Sequence, residues 1–290
     1  MKKVMIFGAT GMLGKSLSHV LQQIGIEVIE VTRNYPYYID FILNSNSIDD
    51  LIRLESPDIV INCAAIVNLE YCEKNPKEAY LVNARAPYIL SSACEKFGVY
   101  FVQISTDHYY NDKPIHSHYE NEKITLLNEY AKTKFAGEAF TLINQAALVI
   151  RTNLVGFRNG YSPTFFEWII KELEANRDII GYTDFYTSSI DTISFSELLL
   201  KLINLKTCGI YNIAANDVIS KYEFIRKVAY YFNTSSQIKK GKITNTIPRA
   251  KTLGLDNSKF IKHTGEIPPT SNEVINRLVN EYRKGELVEL

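Results

Sequence analysis

The sequence predicts an α/β protein built on a doubly wound parallel sheet, and three features of the chain predict it. Short apolar runs alternate with helical periodicities over residues 1–155, a glycine-rich turn joins the first run to the first helix, and the composition changes after that point. Val4 to Phe7 reads as a buried strand, Gly8 to Gly14 as the turn, and Leu17, Val20, Leu21 and Ile24 as the apolar face of a helix. The order then repeats. Val28 to Val31 is a strand, Ile48 to Leu54 a short helix and Asp58 to Ile61 a strand. Ala86, Leu90, Ala93, Cys94 and Phe97 mark one face of a longer helix, which leads into the continuous apolar strand Val99 to Ile104. Leu148 to Thr152 supplies one more strand.

Beyond it Tyr, Asn, Thr and Gly become frequent, Pro163 and Pro248 interrupt the chain, and helices expected near Phe165 to Leu173, Ser194 to Ile203 and Ser220 to Phe232 are separated by short segments. Residues 156–290 are therefore expected to form mainly a smaller α/β substrate-binding lobe, with some chain returning to the sheet. Phe165, Phe166 and Trp168 are expected in its core.

The chain has 290 residues and is 46% hydrophobic, enough for a full core. Lys+Arg and Asp+Glu both number 32, so no basic face is implied and nucleic-acid binding is not expected. The apolar stretch after Met1-Lys2-Lys3 stops at Gly8, too short for a signal peptide, and no run long enough to cross a membrane occurs. Cys63, Cys72, Cys94 and Cys208 lack metal-ligand spacing and are expected as buried, reduced thiols of a cytoplasmic protein. His116 and His118 find no further ligand at suitable spacing, so they read as loop residues and no metal is expected.

Gly8-Ala9-Thr10-Gly11-Met12-Leu13-Gly14 follows the first strand and opens the first helix. Glycines in that place let the backbone approach a pyrophosphate at a positive helix end, the hallmark of a Rossmann-like dinucleotide fold. The spacing is GxxGxxG, one residue longer than the GxGxxG fingerprint. The second strand ends at Thr32-Arg33 with no acidic residue for a ribose hydroxyl. An Arg there suits a 2′-phosphate, which favours NADP(H) over NAD(H). Tyr130 and Lys134 stand at i, i+4 on one helix face, where an ammonium can lower a phenol whose ordinary pKa is about 10. Thr106 lies 24 residues before Tyr130, at the carboxyl end of the Val99 to Ile104 strand, where ligands of parallel sheets bind. Its hydroxyl can polarise a carbonyl oxygen.

With these residues in place the sequence resembles the extended short-chain dehydrogenase/reductases, and more closely the dTDP-4-dehydrorhamnose reductase family, over most of the chain. Asn62-Cys63-Ala64-Ala65 resembles the family's NAAA segment, Val82-Asn83 its VN and Ser105-Thr106-Asp107 its STD. Tyr130, Lys134, Gly137 and Glu138 match its YxxxKxxGE, and Arg151-Thr152 its RT. Gly209 to Asn212 resembles its GIYH, Ser220 to Phe224 its S-x-YEF, and Arg249 with Leu255-Asp256 its late RPxxxxLD.

The resemblance implies that Thr106, Tyr130 and Lys134 are catalytic. It places Gly8, Thr10, Gly11, Met12, Leu13, Arg33, Asp40, Phe41, Cys63, Ala64, Ala65, Tyr130 and Lys134 around NADP(H), with Asp40 and Phe41 by the adenine. Thr106, Asp107, His108, Asn153, Leu154 and Arg249 would surround a nucleotide-sugar substrate. His108 reads as a pocket wall rather than a general acid.

The sequence also departs from the pattern. STDYVF becomes Ser105-Thr106-Asp107-His108-Tyr109-Tyr110, Leu154 stands where RTSW has Trp, Ile66-Val67 replaces an aromatic or His plus Thr, and Ala250 replaces the Pro of RP. Cofactor chemistry is expected to be retained and the sugar pocket altered. The activity implied is NADPH-dependent reduction of the C4 ketone of a nucleotide-linked 4-keto-6-deoxy sugar, in deoxysugar and polysaccharide biosynthesis. Two alternatives stay open: an epimerase or dehydratase that retains NAD, and a non-catalytic regulatory subunit resembling that of methionine adenosyltransferase. Homodimer formation also stays open.

Overall fold

The computed structural model describes residues 2–34, 37–42, 47–110, 117–158, 160, 162–244 and 247–285. In chain order it contains β1 (Lys3–Phe7), α1 (Met12–Gln23), β2 (Glu27–Val31), α2 (Ile48–Glu55), β3 (Ile59–Asn62), α3 (Leu69–Lys74), α4 (Pro76–Tyr80), a π-helical turn (Leu81–Arg85), α5 (Ala86–Phe97), β4 (Tyr100–Ile104), α6 (Glu129–Thr141) and β5 (Leu148–Arg151). There follow β6 (Leu154–Val155), α7 (Phe165–Glu174), β7 (Ile179–Tyr182), β8 (Tyr186–Thr187), β9 (Ile190–Asp191), α8 (Thr192–Asn204), β10 (Gly209–Asn212), β11 (Ile219–Ser220), α9 (Lys221–Ala229), β12 (Ile238–Gly241), β13 (Thr252–Leu253), α10 (Ser258–Thr264) and α11 (Ser271–Lys284). The chain divides into two units. The first comprises Met1–Thr106, Leu126–Arg151 and Leu199–Tyr211, and the second Asp107–Thr125, Thr152–Leu198 and Asn212–Leu290.

The first unit is a six-stranded sheet in the order β10-β5-β4-β3-β1-β2, with β1 to β5 paired in parallel. Val4 to Phe7, Ile59 to Asn62 and Leu148 to Arg151 are buried throughout, as strands covered on both faces must be. The chain leaves β2 and returns across β1 to form β3. The carboxyl ends of β1 and β3 thus flank the point where strand order reverses, which is where open α/β sheets bind ligands. One face of the core gathers Met5, Phe7, Val60 and Phe101 from the strands with Ala86, Leu90, Ala93 and Cys94 of α5, the face its periodicity predicted. Residues 199–211 belong to this unit through β10, whose Gly209 N–H donates to Ala147 O at 2.9 Å.

The second unit is built from small sheets, β11-β8-β13, β12-β7 and β6-β9. Its helices α7, α9 and α11 each begin with a capping box, formed by Thr164 with Glu167, Ser220 with Glu223 and Thr270 with Glu273. Phe166, Phe224 and Phe260 are fully buried, while Phe165 and Trp168, expected in the core, are only partly so.

Several expectations need correction. Ile24 is 59% exposed, because α1 ends at Gln23 and the residue falls past the apolar face. The segment before α5 holds α3, α4 and the π-helical turn, whose short lengths gave no period to read. Cys208 is exposed and Cys63 partly so, whereas Cys72 and Cys94 are buried. His118 lies outside the named helices and strands, as expected of a loop residue, yet it is fully buried, stacked on Tyr110 at 4.3 Å, with Nδ1 2.7 Å from Glu122 Oε2. His116 lies outside the described residues.

Candidate active site

The glycine loop has the shape its spacing predicts. Gly8 has φ +79°, and a Cβ there would stand 2.8 Å from the Ala64 amide nitrogen, so the loop and the Cys63 to Ala65 segment meet backbone to backbone. At Gly14 a Cβ would overlap the Gly8 carbonyl oxygen and approach Ala9 Cα to 2.6 Å, which only glycine avoids as α1 packs onto the loop. Gly11 is the N-cap of α1 and supplies no capping side chain, and no acidic residue follows in the first turn. The first-turn N–H groups and the positive helix end thus suit an anion. This cradle, which any larger residue would fill, fits the pyrophosphate of a dinucleotide. Thr10 is exposed, Met12 partly so and Leu13 buried. Arg33 is exposed just past β2, Asp40 Oδ1 accepts from the Ile42 amide at 2.8 Å, and Phe41 is buried, stacked on Phe7 at 5.8 Å.

The segment after β3 is pinned by two asparagines. Asn62 Oδ1 accepts from the Ala64 amide at 3.1 Å, and its Nδ2 donates to Gln103 Oε1 at 2.8 Å. Asn83, in the π-helical turn, accepts from the Ile66 amide at 2.8 Å and donates to Ile66 O at 2.9 Å and to Thr133 Oγ1 at 3.2 Å. The same side chain therefore ties the 62–66 segment to α6.

On α6, Tyr130 and Lys134 are both buried. Tyr130 packs with Cys72, Ala79, Ile66 and Leu69. The Lys134 ammonium donates to Ile104 O at 2.7 Å, at the last residue of β4 and two residues before Thr106, which is itself buried. Burial pushes the Lys134 ammonium down to about 8, against the opposing pull of Glu138 and Cys63. Burial likewise pushes the Cys63 thiol up to about 12, although Lys134 draws it the other way, so Cys63 is a neutral neighbour at pH 7. Beneath them Glu138 accepts from Arg151 at 3.0 and 2.7 Å and from Ser105 Oγ at 2.5 Å. This buried carboxylate links the end of β4, the helix carrying Lys134 and the end of β5.

In the second unit Asp107 Oδ2 accepts from Asn153 Nδ2 at 2.6 Å, and His108 Nε2 lies 4.0 Å from Asp107 Oδ1. Burial, with the charges of Arg249 and Lys221, holds the His108 imidazole down at about 4, so it is neutral at physiological pH and presents one donor and one acceptor. Asp107, His108, Asn153 and Arg249 are thereby brought together. Leu154 stands in β6, paired with Ile190 of β9 and partly exposed. Sequence reasoning missed Lys221, which joins this cluster. A signal was present, since a lysine at the first position of a capped helix faces the positive end of the dipole. Among the described residues no group of three or more His, Cys, Asp or Glu side chains could hold a metal ion.

Comparison with known proteins gives the family of this chain. The model of the RmlD substrate binding domain family matches residues 1–284. The spore coat polysaccharide biosynthesis protein SpsK of Bacillus subtilis is 31% identical over 225 residues, covering 77% of each chain. A probable low-salt glycan biosynthesis reductase of Haloferax volcanii, Agl14, is 27% identical over 233 residues, covering 77% of this chain and 78% of its own. The crystal structure of dTDP-4-dehydrorhamnose reductase from Bacillus anthracis in complex with NADP superposes with a TM-score of 0.89 at 24% identity, covering 97% of this chain and 100% of that one. The chain belongs to the RmlD substrate binding domain family, where it stands beside the dTDP-4-dehydrorhamnose reductases.

Proposed function

We propose that this protein reduces the C4 ketone of a nucleotide-linked 4-keto-6-deoxy sugar with NADPH, for the synthesis of a deoxysugar used in a polysaccharide. The observation that carries the reading is the placement of Lys134. It lies one helical turn after Tyr130, with its ammonium bonded to the end of the strand that runs into Thr106. NADPH, when bound, supplies the hydride that turns the ketone into an alcohol. Tyr130 gives its phenolic proton to the ketone oxygen, and Thr106 donates a hydrogen bond to that oxygen. The Lys134 ammonium favours the phenolate left behind.

The Gly8 to Gly14 loop and the α1 N-terminus hold the pyrophosphate, Cys63 to Ala65 flank the cofactor, and Arg33 takes the 2′-phosphate. Residues of the first unit thus serve the cofactor and the proton transfer. In the second unit Asp107, His108, Asn153, Leu154 and Arg249 recognise the sugar nucleotide. The relatives named for polysaccharide and glycan biosynthesis support the substrate class.

The test is NADPH consumption across TDP-, UDP- and GDP-linked 4-keto-6-deoxy sugars, with Tyr130→Phe alongside. One sugar nucleotide should be turned over, and the variant should bind NADPH normally while losing about 10²- to 10⁴-fold in kcat. No consumption with any of them would remove the reaction, and an unchanged rate in the variant would remove Tyr130 from it.

A further inference from the structure

Lys221 occupies a place where its charge is disfavoured twice. It is the first residue of α9, at the positive end of the helix, and the surrounding protein pushes its ammonium down to about 8. The cation is nevertheless built in with care. The rings of Phe165, Phe185 and Phe224 lie 4.5, 5.8 and 5.9 Å from Nζ, and the Asp107 carboxylate pulls its pKa back up. Among the described residues the ammonium makes one hydrogen bond, a long one of 3.4 Å to Ser189 Oγ, so two of its three donors are unspent.

That single bond starts a directional chain. Ser189 Oγ donates to Asn153 Oδ1 at 2.6 Å, and Asn153 Nδ2 donates to Asp107 Oδ2 at 2.6 Å. The chain begins on a donor with capacity to spare and ends on a charged acceptor, an arrangement that matches a hydroxyl, which both accepts and donates. Phosphate oxygens would suit the ammonium but would be repelled by the carboxylate. The phenyl faces around Nζ suit the C–H face of a sugar ring.

We propose that Lys221 is a specificity-determining residue whose ammonium donates to the 3-hydroxyl of the sugar, with the Asp107 carboxylate at the far end of the chain as its acceptor. This rests on the reading that the substrate is a nucleotide-linked 4-keto-6-deoxy sugar. The choice of hydroxyl follows from connectivity. The chain runs from Thr106, which polarises the C4 ketone, directly into Asp107. Of the two carbons next to C4, C5 carries the methyl group and only C3 carries a hydroxyl. A site built to bond a hydroxyl rejects the analogue that lacks it, because its own polar groups are then left desolvated.

The experiment is a binding titration in the presence of NADP⁺. It compares TDP-glucose, UDP-glucose or GDP-glucose, whichever wild-type protein binds most tightly, its 3-deoxy counterpart, and the nucleoside diphosphate without sugar. Wild type should prefer the hydroxylated sugar by about 10- to 100-fold, the range for a hydrogen bond to a charged group. Lys221→Met should collapse that preference to within about threefold while leaving affinity for the nucleoside diphosphate unchanged. Lys221→Arg should keep part of the preference. Ser189→Ala, which cuts the chain between ammonium and carboxylate, should narrow it and serves if the Met variant does not fold.

A preference that survives Lys221→Met overturns the assignment, and so does an equal loss for the nucleoside diphosphate, which would give the ammonium to phosphate. A wild-type protein that binds none of the three sugar nucleotides removes this inference together with the proposed function. Normal discrimination without turnover of any keto sugar removes the proposed function alone.

Discussion

Replacing Glu138 with Gln isolates the buried ion pair from which the lysine and the end of β4 take their positions. The Arg151 and Glu138 side chains are 1% and 2% exposed, joined by bonds of 3.0, 3.2 and 2.7 Å, with Ser105 Oγ adding a third donor to the carboxylate. Gln keeps the shape and removes the charge, so the guanidinium stays in the interior without the carboxylate that offsets it. Breaking one member of such a pair costs about 3–5 kcal/mol. Urea unfolding followed by circular dichroism should show that loss, and melting should fall by roughly 6–20 °C at about 2–4 °C per kcal/mol. The double variant Glu138→Gln with Arg151→Met removes both charges and should recover to within about 1.5 kcal/mol of wild type.

A second readout separates positioning from bulk stability. Glu138 holds the Lys134 pKa up against burial, and the ammonium sits at about 8 with Glu138 present. The charged form is the working form, so kcat/KM should be full below that value and fall as pH rises through it. In Glu138→Gln the fall should begin at lower pH. A stability change under about 1 kcal/mol, or an alkaline limb that does not move, would refute the role given to the pair.

Two further perturbations test the cofactor cradle. Gly14→Ala forces a methyl group onto the Gly8 carbonyl and the Ala9 backbone, and should weaken NADPH binding at least about tenfold by fluorescence titration. Unchanged affinity would show that the loop does not hold the cofactor. Arg33→Ser should lower the NADPH-over-NADH ratio of kcat/KM by about 10- to 100-fold while leaving the NADH value nearly constant. A constant ratio would place the 2′-phosphate elsewhere.

The parallel sheet could be read from the chain because its strands are buried on both faces, which makes Val4 to Phe7, Ile59 to Ile61 and Leu148 to Ile150 continuous apolar runs. The helix α5 was equally plain, since 12 residues give its apolar period more than three turns. Length is what failed elsewhere. Strands such as β8, β9, β11 and β13 have two residues each, and no alternation can be read in two residues. The helical segments between β3 and α5 have five or six residues and are set by tertiary contacts, chiefly the bonds of Asn83 to Ile66 and Thr133.

The candidate site was legible to the degree that it is local in sequence. Glycines in a βα turn and Tyr130 with Lys134 one turn apart carry their meaning in spacing, whereas the relay from Lys221 through Ser189 and Asn153 to Asp107 joins four separate segments. What local reasoning can do for such residues is register cost. His118 was read as a loop residue because no further ligand stands at metal spacing from it, a test that says nothing of burial, and it is fully buried between Tyr110 and Glu122. Lys221 left a sharper mark, a cation at the first position of a capped helix, and in space it packs among phenylalanine rings. The dipole penalty there is typically about 0.3–1 kcal/mol, small enough to tolerate, and it falls on an ammonium held by three phenyl faces, the Asp107 charge and one long hydrogen bond. A charge kept against both the helix dipole and burial, with hydrogen-bonding capacity in reserve, suits the hydroxyl ligand proposed for it. The departures from the family pattern at His108 to Tyr110 and at Leu154 thus fall among the residues proposed to recognise the sugar, the cluster that Lys221 joins, whereas Thr106, Tyr130, Lys134 and the glycine loop keep the pattern.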